Sequence, residues 1–366
     1  MTNPYLVRSL ADIGIDDRPT AGGKGASLGE LTRAGLRVPP GCLVTTSAFE
    51  RAVQALDPAG AIRREIESLA ADAADDADDY AAVARVTADI RRRIEMAALP
   101  EDLCAAIAEG YRALHREPDD ADAGAPVAVR SSATGEDSGD ASFAGLQDTY
   151  LWVRGADAVV DHVRRCWASL YSVESVSYRL RRNLPERGLA MAVVIQRMVD
   201  PRCSGVMFTR SPSTGDRSVI AIEASWGLGS AIVSGDVTPD TYVVSKVTGE
   251  IVKRSVSSKL RQHRMNPGGA GAVDEAVPAD LQDRPCLSDD EIRLLADLGR
   301  RVENHYGAPQ DIEWAISGAA TNTGENVFVL QSRPETVWAG REKGPVAMPK
   351  GKAFQHVFDR LGGAAR

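Results

Sequence analysis

AGGKGASLGELTRAGLRVPPGCLVTT, Ala21 to Thr46, reads as a glycine-rich loop, a helix, and then a strand reached through Pro39-Pro40. MAVVIQRMV, Met191 to Val199, has the length and β-branched content of a buried strand. Between them, residues from about 50 to 117 read as helices. Ile62, Ile66 and Leu69 share one face, as do Val83, Val86, Ile90 and Ile94. The acidic run Ala71 to Asp79 that separates them reads as a solvated connector. Toward the C-terminus, SGVMFT and SVIAIEAS add strands. DTYVVSK and EIVKRSV flank Thr248-Gly249 as a hairpin. Ser288 with Glu291 forms a capping box opening a long helix. DIEWAI and NVFVLQSRP read as two further strands. Helices mixed with antiparallel hairpins predict an α+β architecture with a ligand held between two lobes. The expected division is residues 1–200 for the first lobe, 201–337 for the second, and 338–366 for a tail that serves as linker or docking element.

Composition narrows the function classes. The 366 residues carry 43% hydrophobic and 26% charged side chains, the balance of a soluble globular chain. A net charge of −8 argues against nucleic acid or an acidic membrane as the main partner. Cys42, Cys104, Cys166, Cys203 and Cys286 lie far apart with no CxxC pair, so a reducing compartment is favoured over disulfides or zinc. No segment has the apolar length of a membrane span, and the N-terminus lacks a secretory pattern. The expected location is the cytoplasm.

Four patterns could carry chemistry. GGKG, Gly22 to Gly25, places Lys24 among glycines, where backbone N–H groups and an ammonium could hold phosphate oxygens. It is not a Walker A loop, and a helix start with an exposed lysine is the plainer reading. Arg130 is expected at the end of a buried strand, beside the Ser/Gly/Asp-rich loop SSATGEDSGDASFAG. Its planar fork matches phosphate, although a pair with Glu136 or Asp137 would also use it. That loop could close over a nucleotide. Gln196 and Met198 offer an amide and a soft apolar surface for an adenine ring, or simply a surface Gln and a core Met. Glu313 and Gln331 lie on strands whose antiparallel pairing would bring them to one face. A carboxylate and a carbonyl oxygen would suit Mg²⁺ completed by water and phosphate. Arg333, two residues on, shares the face of Gln331 and could neutralise a transferring phosphoryl group, or pair with Glu313.

Together these motifs resemble the ATP-binding domain shared by phosphoenolpyruvate synthase, pyruvate phosphate dikinase and rifampin phosphotransferase. GGKGASLGEL, VRSSATGEDSGDASFAGLQDTY, VRRCWASLY, MAVVIQRMV, SGVMFT, GLGSAIVSGDVTPD, PQDIEWAI and QSRPETV occur in the family's order across residues 20 to 337. The resemblance implies a two-lobed ATP-grasp-like nucleotide-binding fold that takes ATP and Mg²⁺. It implies phosphate contacts at Lys24 and Arg130, nucleotide contacts at Gly145 and Thr149, and an adenine pocket at Gln196 and Met198. Glu313 and Gln331 become the implied magnesium ligands, with Arg333 beside the phosphates. Three departures stand out. Arg210-Ser211 replaces a frequent Ala-Asn pair, Ser230 replaces a Glu in GLGEA-like versions, and Gly135 with Ser138-Gly139 makes the loop richer in glycine.

Full-length members carry a swivelling domain whose histidine, in a Thr/Ser-Ser-His context, receives the β-phosphoryl of ATP. His115, His162, His263, His305 and His356 lie in no such context. The resemblance therefore implies the ATP-binding subunit of a split dikinase, with a separate subunit supplying the histidine and the acceptor site. A phenol, as for the ATP-binding subunit of phenylphosphate synthase, is the expected acceptor and pyruvate the alternative. A stand-alone phosphotransferase and a non-catalytic nucleotide-binding regulator are the remaining readings.

Overall fold

Met191 to Ile195 are fully buried at every position, so this strand is apolar on both faces rather than alternating. The computed structural model describes residues 5–72, 78–115, 124–134, 137–138, 141–142, 148–182, 184–266, 269, 271–318 and 324–338. The tail from residue 339 onward and the centre of the acidic connector lie outside them.

Among the described residues, seven strands precede residue 200. They are β1 (Val7–Ser9), β2 (Gly41–Val44), β3 (Val127–Ala133), the short pair β4 (Asp137–Ser138) and β5 (Ala141–Ser142), β6 (Thr149–Val153) and β7 (Met191–Arg197). Five of them form an antiparallel sheet in the order β1-β2-β7-β3-β6. One face is covered by helices. Val193 and Ile195 of β7 pack there with Ile66, Ile90, Ile107, Val163 and Trp167. The opposite face, carrying Ala192 and Val194, packs against Ala21, Ala26 and Leu28 of α1 (Arg18–Arg33).

The chain crosses to a second sheet over residues 198–200. β8 (Pro201–Phe208), β9 (Val219–Trp226), β10 (Asp240–Ser245) and β11 (Ile251–Ser255) belong to it. A separate hairpin, β12 (Arg261–Met265) with β13 (Ala272–Ala276), precedes β14 (Gln310–Ser317) and β15 (Val327–Pro334). The order is β11-β10-β9-β8-β14-β15, antiparallel throughout. The Thr248-Gly249 hairpin joins β10 to β11, as its turn residues predict. The helix Asp289–Tyr306 covers this sheet through Ile292, Leu295, Ala296 and Val302. Its capping box is present. Ser288 Oγ accepts from Glu291 N at 3.3 Å, and Glu291 Oε2 accepts from Ser288 N at 2.9 Å. Ser288→Ala should cost about 1 kcal/mol of stability, read as a lower urea midpoint with an unchanged slope.

α1 joins the two sheets. Leu31 and Leu36 belong to the second core, and Ser27 Oγ donates to Ser332 O at 2.8 Å. His305 Nε2 lies 2.9 Å from Glu30 Oε1. A second contact comes from the β12–β13 hairpin, where Gly271 N donates to Leu151 O of β6 at 2.9 Å.

The glycine-rich stretch corrects its sequence reading. Arg18 to Arg33 is helical except at Gly22, where φ is 68° and ψ 174°. The cause is close packing on β3, because a Cβ on Gly22 would lie 2.1 Å from Ser132 O. Ser132 Oγ pins this break by donating to Ala21 O at 2.8 Å and accepting from Gly25 N at 2.9 Å.

Candidate functional site

Arg130 is the fourth residue of β3, not its end, and its side chain crosses from the first sheet to the second. Nη1 donates to Leu330 O at 3.0 Å, and Nη2 donates to Gln331 Oε1 at 2.6 Å. Nη2 also lies 3.4 Å from Glu313 Oε2. Arg130 is 12% exposed and Glu313 37%, so the pair lies at a partly open surface. Glu136 is outside the described residues, as is the side chain of Asp137.

Register puts the groups of the second sheet together. Glu313 pairs with Gln331 and Asp311 with Arg333 across β14 and β15, so all four share one face. The same row runs on through Val206 to Glu223. Burial raises the Glu223 carboxyl above its ordinary value. Arg333 Nε donates to Asp311 Oδ2 at 3.3 Å, with the arginine half exposed. Burial pushes the Asp311 carboxyl up to about 6, against the opposing pull of Arg333. The sequence reading passed over Asp311 and Glu223. The spacing of two between Asp311 and Glu313, and the pairing of Glu223 along the row, gain meaning only once the register is known.

A cavity of about 340 Å³ opens between the sheets. Ala128, Arg130 and Thr149 line it from the first sheet, and Met198 and Val199 from the crossover. Gly205, Val206, Glu313, Ala315 and Leu330 line it from the second sheet, and Leu228, Ser230 and Val233 from the segment after β9. Gly205 is required by close approach, since a Cβ there would lie 1.8 Å from Glu223 O.

The remaining sequence-derived residues fall in different places. Lys24 Nζ donates to Ser131 O at 2.7 Å, beside Arg130 along β3. Gln196 is buried with its amide donating to Pro39 O at 3.3 Å, and it is not among the residues lining the cavity. Gly145 lies outside the described residues. So do Gly135 and Gly139 of the glycine-rich loop. Arg210 of the Arg210-Ser211 departure is buried and donates through Nε to Gly215 O at 2.8 Å. Its guanidinium lies over Trp338. Among the described residues, no helix is long and apolar enough to cross a membrane.

Residues 18–352 match the family described as pyruvate phosphate dikinase, AMP/ATP-binding domain. A probable phosphoenolpyruvate synthase of Methanothermobacter thermautotrophicus is 45% identical over 90% of this chain and 46% of its own length. A rifampicin phosphotransferase of Streptomyces sviceus is 42% identical over 92% of this chain and 36% of its own. A phosphoenolpyruvate synthase of Aeropyrum pernix is 39% identical over 94% of this chain and 44% of its own. The chain thus spans less than half the length of these curated relatives.

Proposed function

The chain belongs to the pyruvate phosphate dikinase AMP/ATP-binding domain family, and on that premise we propose that it binds Mg-ATP between its two sheets in an ATP-grasp-like manner. From there it delivers the β-phosphoryl group to a histidine on a separate subunit, with AMP leaving from the α–β bond and one water taking the γ-phosphoryl as phosphate. The observation that carries this reading is the reach of Arg130 across the cavity to Glu313 and Gln331.

The donor set fits a hard cation. Glu313 Oε2 and Gln331 Oε1 converge on one cationic atom, Arg130 Nη2. A carboxylate and an amide oxygen aimed at one point suit Mg²⁺, which takes its other ligands from phosphate and water. When bound, Mg²⁺ supplies charge neutralisation across the phosphates. Arg130 then presents its fork to phosphate oxygens, and Lys24 adds an ammonium from the next residue's carbonyl along the strand. Arg333, half exposed beside Asp311, has the freedom to turn toward the group in transfer. Met198 and Leu330 offer apolar contact for the base, Thr149 lines the same wall, and Gln196 and Gly145 complete the nucleotide contacts that the family pattern implies. Positioning and electrostatics supply the catalysis, as in phosphoryl transfer generally.

The final acceptor is proposed to be a small phenolic compound, held with the histidine by the separate subunit in the cytoplasm. Pyruvate is the second reading, favoured by the relatives named as phosphoenolpyruvate synthases. The experiment supplies ATP labelled at the β or the γ position, Mg²⁺, and a protein carrying the Thr/Ser-Ser-His domain. β-Label on that protein's histidine, with AMP formed only in its presence, is the expected outcome. Phenol and pyruvate, added in turn, should show which one discharges the label. Phosphorylated product and AMP made by this chain alone would overturn the split.

A further inference from the structure

Ser230 lines the cavity and is itself backed by a histidine and a carboxylate. It stands where related GLGEA-like sequences carry glutamate, at the end of the GLG turn after β9. Its Oγ lies 2.9 Å from Nδ1 of His263 on β12. The other ring nitrogen, Nε2, lies 3.5 Å from Asp236 Oδ2. His263 is only 17% exposed, and its backbone is fixed because His263 O accepts from Leu228 N at 2.9 Å. Asp274, the cross-strand partner of His263, is held by Arg261, and Asp236 is the carboxylate within 3.5 Å of Nε2.

We infer that Ser230 reads a ribose hydroxyl of the bound nucleotide, with His263 and Asp236 as positioning residues. The inference rests on the proposed nucleotide site. Asp236 Oδ2, which also accepts from Ser234 Oγ, stands on the Nε2 side of the ring, so with the imidazole proton on Nε2 it is Nδ1 that accepts the Ser230 hydroxyl proton. The Ser230 oxygen then turns its lone pairs to the cavity and accepts from a donor there. Of the nucleotide's parts, the phosphates carry no donor at neutral pH and take Arg130, and the base, whose donor is its amino group, lies on the side of Met198 and Leu330. The sugar hydroxyls are donors left to be matched. Of the cavity's other small polar side chains, Ser204 spends its hydroxyl on Gly227 O and is buried, and Thr149 stands on the opposite wall, paired with Arg130 of the phosphate contacts. A hydroxyl backed by an imidazole nitrogen suits a neutral ribose hydroxyl, and a carboxylate at the same place would do similar work with more charge.

The test is a cycle between protein and ligand. Affinities of the wild-type chain for ATP, 2′-deoxy-ATP and 3′-deoxy-ATP are measured by calorimetry with Mg²⁺ present. Wild type should prefer ATP over one of the deoxy analogues by about three- to tenfold, the worth of one neutral hydrogen bond. Ser230→Ala should bind ATP as weakly as wild type binds that analogue, with no further loss when the two changes are combined. His263→Asn keeps an acceptor near the Nδ1 position and should retain the preference, whereas His263→Leu should lose it. A preference that survives Ser230→Ala overturns the inference, as does one abolished only by Glu223→Gln. Failure of wild type to bind ATP at all would instead sink the proposed nucleotide site.

Discussion

Arg130→Ala is expected to reduce the proposed phosphoryl transfer to a histidine by at least about a hundredfold, the scale of losing a preorganised cationic donor at a developing charge. The fold should survive. Glu313 is 37% exposed, so water can solvate the carboxylate that Arg130 leaves behind. The loss should therefore appear in kcat rather than in the thermal midpoint. Arg130→Lys separates charge from geometry. Arg130 spans Leu330 O, Gln331 Oε1 and Glu313 with two nitrogens, and one ammonium cannot repeat that fork. The lysine variant should recover most of the ATP affinity while remaining at least about tenfold slow. Full activity in Arg130→Lys would show that the fork does nothing beyond its charge. Near-normal activity in Arg130→Ala would remove the guanidinium from the mechanism.

How much of this was legible in the sequence depends on how local the cause is. That β14 and β15 pair antiparallel follows from two apolar runs adjacent in sequence, a local cause, but the placing of Gln331 opposite Glu313 depends on a register shift between Glu313 and Trp314 that the sequence does not announce. The capping box is a four-residue pattern and equally local. Arg130 is different. Its apolar strand could be read, but its partners lie some 200 residues away in the other sheet, and nothing in the sequence near β3 names them. The buried pair of Lys259 with Asp240, each fully inaccessible and 2.7 Å apart, was also invisible, since isolated charges in a sequence ordinarily belong at the surface. The hairpin of β12 and β13 escaped for a related reason. RQHRM and AVDEA carry charges on exposed faces and show no apolar alternation, yet their pairing puts His263 behind Ser230.

Gly22→Ala should be among the most damaging single methyls beside the first sheet, and the reasons are separable. At φ 68° and ψ 174° an alanine occupies a region reserved almost wholly for glycine. The added carbon would also lie 2.1 Å from Ser132 O and 2.4 Å from Ser132 Oγ. The hydroxyl could rotate away, at the cost of its bonds to Ala21 O and Gly25 N. The carbonyl belongs to β3 in mid-sheet and cannot move without β7. α1 must therefore lift from the sheet, which strips contact from Ala21, Ala26 and Leu28. A loss of about 3 kcal/mol or more is expected by adding backbone strain to overpacking. Gly35→Ala provides the control. Gly35 also has positive φ, 72°, but an added Cβ meets nothing within 4 Å. Its cost should stay near the purely conformational ~1 kcal/mol. Urea denaturation of both variants tests the argument, and equal losses would show that backbone strain alone matters at Gly22. A second readout reaches the site. Lys24 follows the break by two residues and holds Ser131 O, so lifting α1 should weaken ATP binding in Gly22→Ala while leaving it unchanged in Gly35→Ala.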